Sequence, residues 1–137
     1  MILVDSNIVL DIVGSDPTWR VWSRSRLQNL ALTNEQAINP IVYAEASVSF
    51  SAPALFDRVL ADLGIDLLDL PREAAFLAGK AYVEYRSRGG AKTNVLPDFF
   101  IGAHAAALGC PLITRDTRRY ASSFPSVRLI APHLRTH

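Results

Sequence analysis

Three aspartates of the chain stand where a predicted strand ends or a predicted helix begins. Asp5 follows a three-residue apolar run, and Asp116 comes shortly after the apolar pair Leu112 and Ile113. Asp98 comes directly after a proline that suits the first position of a helix, because the missing N–H of proline needs no partner there. In open α/β sheets, ligands bind outside the carboxyl ends of the strands. We therefore expect the three aspartates to share one edge of the sheet.

A fourth acid, Glu45, is expected to point towards the interior. It lies in a predicted helix that follows Pro40, and Ile41 and Val48 share its face at helical spacing. A carboxylate on an apolar face is costly to bury unless a cation accompanies it. Glu45 therefore predicts either an arginine partner or a metal ion.

Each acid alone also has an ordinary structural explanation. Asp5 and Asp116 could cap helices or turns, and Asp98 could complement a helix dipole. Four carboxylates held close together, however, would repel one another and raise each other's pKa unless a hard cation lay among them. Oxygen ligands without His or Cys favour Mg²⁺ or Mn²⁺ over zinc. Such an ion assists phosphate-ester hydrolysis, so the residues predict phosphodiester hydrolysis.

Alternating strands and helices must position these acids. The pattern predicts an α/β fold with a central, mainly parallel sheet flanked by helices. The first helix is predicted to begin at Ile8, with Ser6 or Asn7 as its cap. The third strand is predicted over residues 65–70 and the last over residues 127–130.

The composition predicts one compact domain over residues 1–137. A hydrophobic share of 50% and a charged share of 20% exclude a disordered chain. One cysteine, Cys110, allows no internal disulfide, and the apolar runs are too short to span a membrane. Without a basic segment before the apolar start, no signal peptide is predicted, and we expect a cytoplasmic protein. The net charge of +1 says little, but arginines recur in groups such as Arg115, Arg118 and Arg119, which suit phosphate contacts.

The acids and their neighbours resemble those of PIN-domain ribonucleases, and specifically those of VapC toxins from prokaryotic toxin–antitoxin pairs. The resemblance runs from one end of the chain to the other. The matching segments are Val4-Asp5-Ser6-Asn7, Glu45 after a proline-led helix opening, Leu96-Pro97-Asp98-Phe99, and Thr114-Arg115-Asp116 after Leu112-Ile113. Four acids in this order, with these neighbours, make the resemblance specific.

This resemblance implies a PIN-like three-layer α/β/α fold and a metal-dependent endoribonuclease. The acidic quartet that holds Mg²⁺ or Mn²⁺ in the family is matched by Asp5, Glu45, Asp98 and Asp116. Asp5 and Asp98 would be the most direct metal ligands. Asn7 and Thr114 match polar positions that support the site through hydrogen bonds.

The resemblance also implies the substrate and the partners. The substrate would be RNA, often tRNA or rRNA, hydrolysed by a water that the metal activates. A VapB-like antitoxin would cover the acidic groove with its tail and bind operator DNA with its other end, so that the toxin meets DNA only indirectly. The toxin would be a homodimer, and no membrane partner is implied.

Two other functions remain open on the residues alone. The same fold could bind RNA or a protein without cutting, with the acids serving as caps and salt bridges. Alternatively, the chain could be a housekeeping RNA-processing nuclease without an antitoxin. His104 is interpreted as a packing residue, since apolar residues flank it at helical spacing. Lys92, Gly89 and Gly90 match no motif.

Overall fold

Five short parallel strands form the sheet at the centre of the protein. A computed structural model describes residues 1–14, 16–91 and 95–132. The strands are β1 (Ile2–Val4), β2 (Gln36–Ile38), β3 (Ile65–Leu67), β4 (Leu112–Ile113) and β5 (Leu129–Ile130). They lie in the order β3-β2-β1-β4-β5, and every neighbouring pair is parallel. The predicted α/β fold with a parallel sheet is therefore confirmed.

Helices connect the strands and flank the sheet. Within the described residues they are α1 (Ser6–Val13), α2 (Arg20–Ala31), α3 (Pro40–Ala46), α4 (Pro53–Leu63), α5 (Arg72–Ser87) and α6 (Leu96–Leu108). Two short 3₁₀ turns cover Ser47–Ser49 and Thr117–Arg119. Helix α5 packs against α6, and α1 packs against both α2 and α3. No helix of the described part is long and apolar enough to cross a membrane.

The register of the central strands aligns the carboxyl end of β1 with that of β4. All three residues of β1 are buried, as expected for a strand with neighbours on both sides and helices over both faces. Val4 of β1 is paired with Ile113 of β4. Asp5 and Thr114, the next residues, consequently leave the sheet side by side.

Helix α6 ends before Gly109, the residue that the sequence predicts as its stop, and begins at Leu96, one residue before the predicted first position, Pro97. Pro97 lies in its first turn, directly before Asp98. Gly109 ends the helix with φ 65°, a left-handed conformation in which a Cβ would be strained, and its N–H bonds to the carbonyl of Ala105. Asp98 therefore lies in the first turn of a helix whose two ends are defined by Pro97 and Gly109.

Four local predictions were wrong. Helix α1 begins at Ser6 rather than at Ile8, and its cap is Asp5 rather than Ser6 or Asn7. Strand β3 ends at residue 67 because it lies at the sheet edge and can pair only with the three-residue β2. The last strand covers two residues rather than four, since β4 offers only two partners. Val48 lies in a 3₁₀ turn and is 81% exposed, so it does not share a buried face with Glu45.

Candidate active site

Asp5 is completely buried at the carboxyl end of β1. One carboxylate oxygen caps α1 by accepting a hydrogen bond from the Ser6 backbone N–H at 2.7 Å. The other accepts hydrogen bonds from the hydroxyls of Thr114 at 2.8 Å and Tyr120 at 2.7 Å. Hydrogen bonds to a charged acceptor are the strong ones, and they compensate for burial of the charge. Asp5 is therefore both a helix cap and the anchor of a polar network.

Thr114 connects Asp5 to Asp116. Its hydroxyl donates to Asp5 and accepts from the backbone N–H of Asp116 at 3.0 Å and from the side-chain amide of Asn7 at 3.3 Å. The carbonyl oxygen of the Asn7 side chain accepts from the Arg115 N–H at 3.2 Å. One donated and two accepted bonds use the full capacity of a hydroxyl. The network thus fixes the backbone that carries Asp116.

Glu45 presents a buried oxygen without a hydrogen-bond partner. Helix α3 is started by Asn39, whose side chain accepts from the first backbone N–H groups, and by Pro40 after it. The Oε1 atom of Glu45 is buried, and no described residue bonds to it. Burial raises the pKa of Glu45 and Asp5 raises it further, whereas a Ser6 hydrogen bond lowers it. A buried, unpaired carboxylate oxygen is the kind of group that a cation stabilises.

Asp98 is electrostatically coupled to the other three acids. Burial raises the pKa of Asp98 to about 6, Arg119 opposes this rise, and the charges of Asp5, Glu45 and Asp116 add to it. The structure therefore brings all four predicted acids into one cluster. Repulsion within the cluster is only partly relieved by the arginine.

Asp116 is held by the turn that follows it. Its Oδ1 atom accepts from the Arg118 backbone N–H at 3.2 Å and so caps the 3₁₀ turn. Its Oδ2 atom accepts from Nε of Arg119 at 3.0 Å, and Nη1 of the same guanidinium lies 3.4 Å from Oδ1 of Asp98. One arginine thus bridges two acids of the cluster.

A cleft of about 670 Å³ opens over the acids. Asp5 lies beneath this cleft and does not line it. The polar lining includes Glu45, Tyr85, Asp98, Asp116, Arg118, Arg119, Ser122 and Ser123. Acids, arginines and hydroxyls therefore meet in one concave surface, a combination suited to a phosphate together with a metal ion.

Two residues of the site were missed by sequence reasoning. Tyr120 is buried, and its hydroxyl donates a hydrogen bond to Asp5, which lies 115 positions earlier in the sequence. Burial and the Asp5 charge raise the pKa of Tyr120, so its hydroxyl stays protonated and donates. Arg119 belongs to an arginine group interpreted as phosphate-binding, and nothing in the sequence indicates that it pairs with acids. The Tyr120–Asp5 contact has no local signal, because the two residues meet only in the folded chain. Arg119 lies three residues after Asp116, but its second partner, Asp98, is 21 positions away.

Tyr120→Phe is expected to lower the free energy of unfolding by about 1.5–3 kcal/mol, the usual range for a hydrogen bond to a charged group. Urea denaturation would measure it. Tyr43→Phe is the matched control, because the Tyr43 hydroxyl also donates to an aspartate, Asp57 at 2.9 Å, but does so at the surface. The control should change stability by less than about 0.5 kcal/mol. Equal losses in the two variants would contradict the role given to Tyr120.

A largely buried ion pair fixes the segment between Thr114 and Asp116. Arg115 donates to both oxygens of Asp11, at 2.7 and 2.9 Å, and the Ser23 hydroxyl donates to the same carboxylate at 2.7 Å. The side chain of Asp11 is only 3% exposed and that of Arg115 is 27% exposed. The pair joins α1 to the end of β4 and so stabilises the frame of the site.

His104 packs inside the protein, as interpreted from the sequence. It is buried in α6, and its Nδ1 atom lies 3.2 Å from the amide nitrogen of Asn39, the cap of α3. The contact joins the helices that carry Asp98 and Glu45.

Three residues before α6, Gly89, Gly90 and Lys92, match no motif. Of these, Lys92 lies outside the described residues. Gly90 packs so closely on Tyr85 that a Cβ would lie 2.4 Å from its ring.

The donor chemistry of the cluster fits a hard divalent cation. Carboxylate oxygens are the ligands that Mg²⁺ and Mn²⁺ prefer, and the unpaired oxygen of Glu45 is a buried acceptor that such an ion could satisfy. In the described part of the chain, however, no three acids stand close enough together to coordinate one ion as they are. Instead, the Arg119 guanidinium pairs with the carboxylates of Asp98 and Asp116.

Known structures share this architecture over nearly the whole chain. VapBC2 from Rickettsia felis, bound to a promoter DNA fragment, is 25% identical, with a TM-score of 0.71 and coverage of 96% of this chain and 98% of that one. DNA-bound VapBC from Salmonella typhimurium is 20% identical, with a TM-score of 0.69 and coverage of 95% and 96%. FitAcB from Neisseria gonorrhoeae is 21% identical, with a TM-score of 0.67 and coverage of 98% and 100%. At the lower identities the likeness concerns the fold alone.

A match to a family model shows to which protein family the chain is related. No curated protein sequence matches the chain significantly. The model described as "PIN domain", however, matches residues 2–124, which include all four acids, Asn7 and Thr114. PIN domains are generally nucleases. By this match over most of its length, the chain belongs to the PIN-domain family.

Proposed function

We propose that the protein is a metal-dependent endoribonuclease of the VapC type that acts as a single domain. The observation that carries the proposal is the buried, unpaired oxygen of Glu45 within a cluster of four coupled acids. Arg119 relieves only part of the repulsion among these acids, which favours a further cation at the cluster. We propose Mg²⁺ or Mn²⁺, held by Asp5, Asp98, Glu45 and Asp116 and supported by Asn7 and Thr114.

The acids would divide the work of phosphodiester hydrolysis. A bound divalent cation would supply the positive charge that activates water and stabilises the transition state. Glu45 is the best proton acceptor, because one of its oxygens has no hydrogen-bond partner among the described residues. Both oxygens of Asp116, by contrast, accept hydrogen bonds. Arg118, Ser122 and other donors of the cleft would hold the RNA phosphates.

A non-catalytic binding module is the competing candidate, and specific contacts favour it. Asp5 caps α1, Asp116 caps a 3₁₀ turn, and Asp98 and Asp116 pair with Arg119. These are the structural roles that the acids would have without catalysis. They do not account for Glu45, which has no such role among the described contacts. We therefore favour the enzyme.

The VapBC neighbours support a toxin–antitoxin assignment. We propose a VapB-like antitoxin partner whose tail covers the acidic cleft, a homodimer in solution, a cytoplasmic location, and contact with operator DNA only through the antitoxin. A housekeeping nuclease would have no such partner. A short neighbouring reading frame for a DNA-binding protein that suppresses cleavage when co-expressed would distinguish the two.

Incubation of the purified protein with total cellular RNA tests the proposal. Cleavage into discrete products is expected with Mg²⁺, none with EDTA, and recovery on adding Mn²⁺ in excess, because the acids alone cannot stabilise the charge of a phosphoryl transfer. Sequencing of the product ends would identify the target. No cleavage by folded, Mn²⁺-loaded protein would favour the binding module, and cleavage that persists in EDTA would contradict the metal requirement.

A further inference from the structure

Arg119 lies where a cation is expected. Its guanidinium contacts Asp116 at 3.0 Å and Asp98 at 3.4 Å, and these acids come from two different elements of the fold. Both acids line the cleft together with Glu45. The arginine therefore neutralises two members of the acidic cluster and leaves the buried oxygen of Glu45 without a partner.

The contacts of Arg119 are weak enough to exchange. Its side chain is 38% exposed, so water can hydrate the guanidinium when it leaves the two carboxylates. The 3.4 Å contact with Asp98 is also longer than a good N–H···O hydrogen bond. The Asp11–Arg115 pair differs on both counts, with contacts of 2.7 and 2.9 Å to a side chain that is 3% exposed. Of the arginines in the described ion pairs, only Arg119 contacts two acids and lines the cleft.

We propose that Arg119 is an exchangeable counter-ion of the metal site, which neutralises Asp98 and Asp116 in the metal-free protein and is displaced when a divalent cation binds them. The inference rests on the proposed function for the metal, but it concerns occupancy of the site rather than cleavage. It explains why no three acids stand ready to coordinate an ion while the guanidinium lies between them.

Calorimetric titration with Mn²⁺ tests the exchange. Arg119→Gln should bind Mn²⁺ about tenfold more tightly than Arg118→Gln, which corresponds to about 1.4 kcal/mol. Arg118 is the matched control, because it is the adjacent residue and lines the same cleft. No described acid pairs with its guanidinium. Both variants lose one positive charge, so general attraction of the cation changes equally, and only the loss of a competitor differs. Equal affinities would overturn the proposal.

Thermal unfolding adds a readout that a purely structural arginine would not give. Arg119→Gln should melt below the wild type without metal, because repulsion among the acids is no longer relieved, and should melt with the wild type at saturating Mn²⁺. A melting temperature of Arg119→Gln that stays below that of the wild type at saturating Mn²⁺ would overturn the proposed exchange. If Arg119→Gln does not fold, Arg119→Lys serves, since a lysine cannot bridge two carboxylates with a planar fork. The Mn²⁺ affinity of Arg119→Lys should then lie between that of the wild type and the higher affinity expected for Arg119→Gln. An affinity equal to that of the wild type would overturn the proposal.

Mn²⁺ binding and RNA cleavage are measured separately, so the exchange and the nuclease can be contradicted independently. Tighter Mn²⁺ binding by Arg119→Gln without any RNA cleavage would support the exchange and contradict the proposed nuclease. Failure of wild type and both glutamine variants to bind Mn²⁺ would overturn the exchange as well, because removal of the competitor would have released no site.

Discussion

Asp98→Asn is expected to lower the rate of RNA cleavage by more than about 100-fold, the usual loss when a principal electrostatic group of an active site is removed. The substitution keeps the shape of the side chain and its place in the first turn of α6, but removes one charge from the cluster. Initial rates of cleavage at saturating Mg²⁺ would measure the loss. Near-wild-type activity would refute the assignment of Asp98.

The same substitution should stabilise the metal-free protein. The pKa of the Asp98 carboxyl is about 6 in the fold against an ordinary value of 3.8, so the folded state holds the proton more tightly than the unfolded state. Ionisation of Asp98 consequently opposes folding. This penalty is absent below pH 3.8, grows as the pH rises, and is complete above about pH 6. Asn carries no such penalty.

Urea denaturation in EDTA at pH 5 and at pH 7 would measure this second effect. Asp98→Asn should exceed the wild type in stability at pH 7 and by less at pH 5. Asp62→Asn is the control, since Asp62 is an exposed acid of α4 that does not line the cleft, and it should change neither rate nor stability appreciably. A variant that loses both activity and stability would indicate a structural role for Asp98 instead.

Asp11→Ala is expected to lower the free energy of unfolding by about 3 kcal/mol, the lower end of the range for breaking a buried ion pair. The substitution leaves the Arg115 guanidinium and the Ser23 hydroxyl without their shared acceptor. The loss stays at the lower end because the Arg115 side chain is 27% exposed and can gain some hydration. Chemical denaturation without metal would measure it.

Glu84→Ala tests whether burial is the cause. Glu84 also pairs with an arginine, Arg88 at 3.1 Å, but these side chains are 69% and 45% exposed. Its replacement should cost less than about 0.5 kcal/mol, because an exposed pair four residues apart on a helix contributes little. If both substitutions cost the same, the Asp11–Arg115 pair is not the stabilising frame described above.

The sequence predicted those features that depend on local patterns. Apolar runs gave the ends of β1 and β4, while Pro97 and Gly109 gave the bounds of α6, because proline and glycine act through their own backbone conformations. The gathering of four acids followed from these bounds and from the geometry of parallel sheets. Their proposed role as metal ligands stays a prediction.

Other features depend on contacts that no local pattern records. Three adjacent capping residues, Asp5, Ser6 and Asn7, compete at the start of α1, and only the tertiary bonds of Asp5 decide between them. The strand predicted over residues 65–70 is longer than the observed one, since β2 sets how far pairing extends. The Tyr120–Asp5 and Arg119–Asp98 contacts could not be assigned, because these partners are 115 and 21 positions apart in sequence and adjacent only in the fold.

The strand order has a consequence for synthesis of the protein on the ribosome. Strand β1 is made first, yet it lies between β2 and β4, and its Asp5 depends on hydroxyls 109 and 115 positions later. A nascent chain that has not reached residue 112 therefore lacks β4, the neighbour of β1, together with Asp116 and both hydroxyl donors to Asp5. The order of the sheet thus delays assembly of the acidic cluster until translation has passed Asp116.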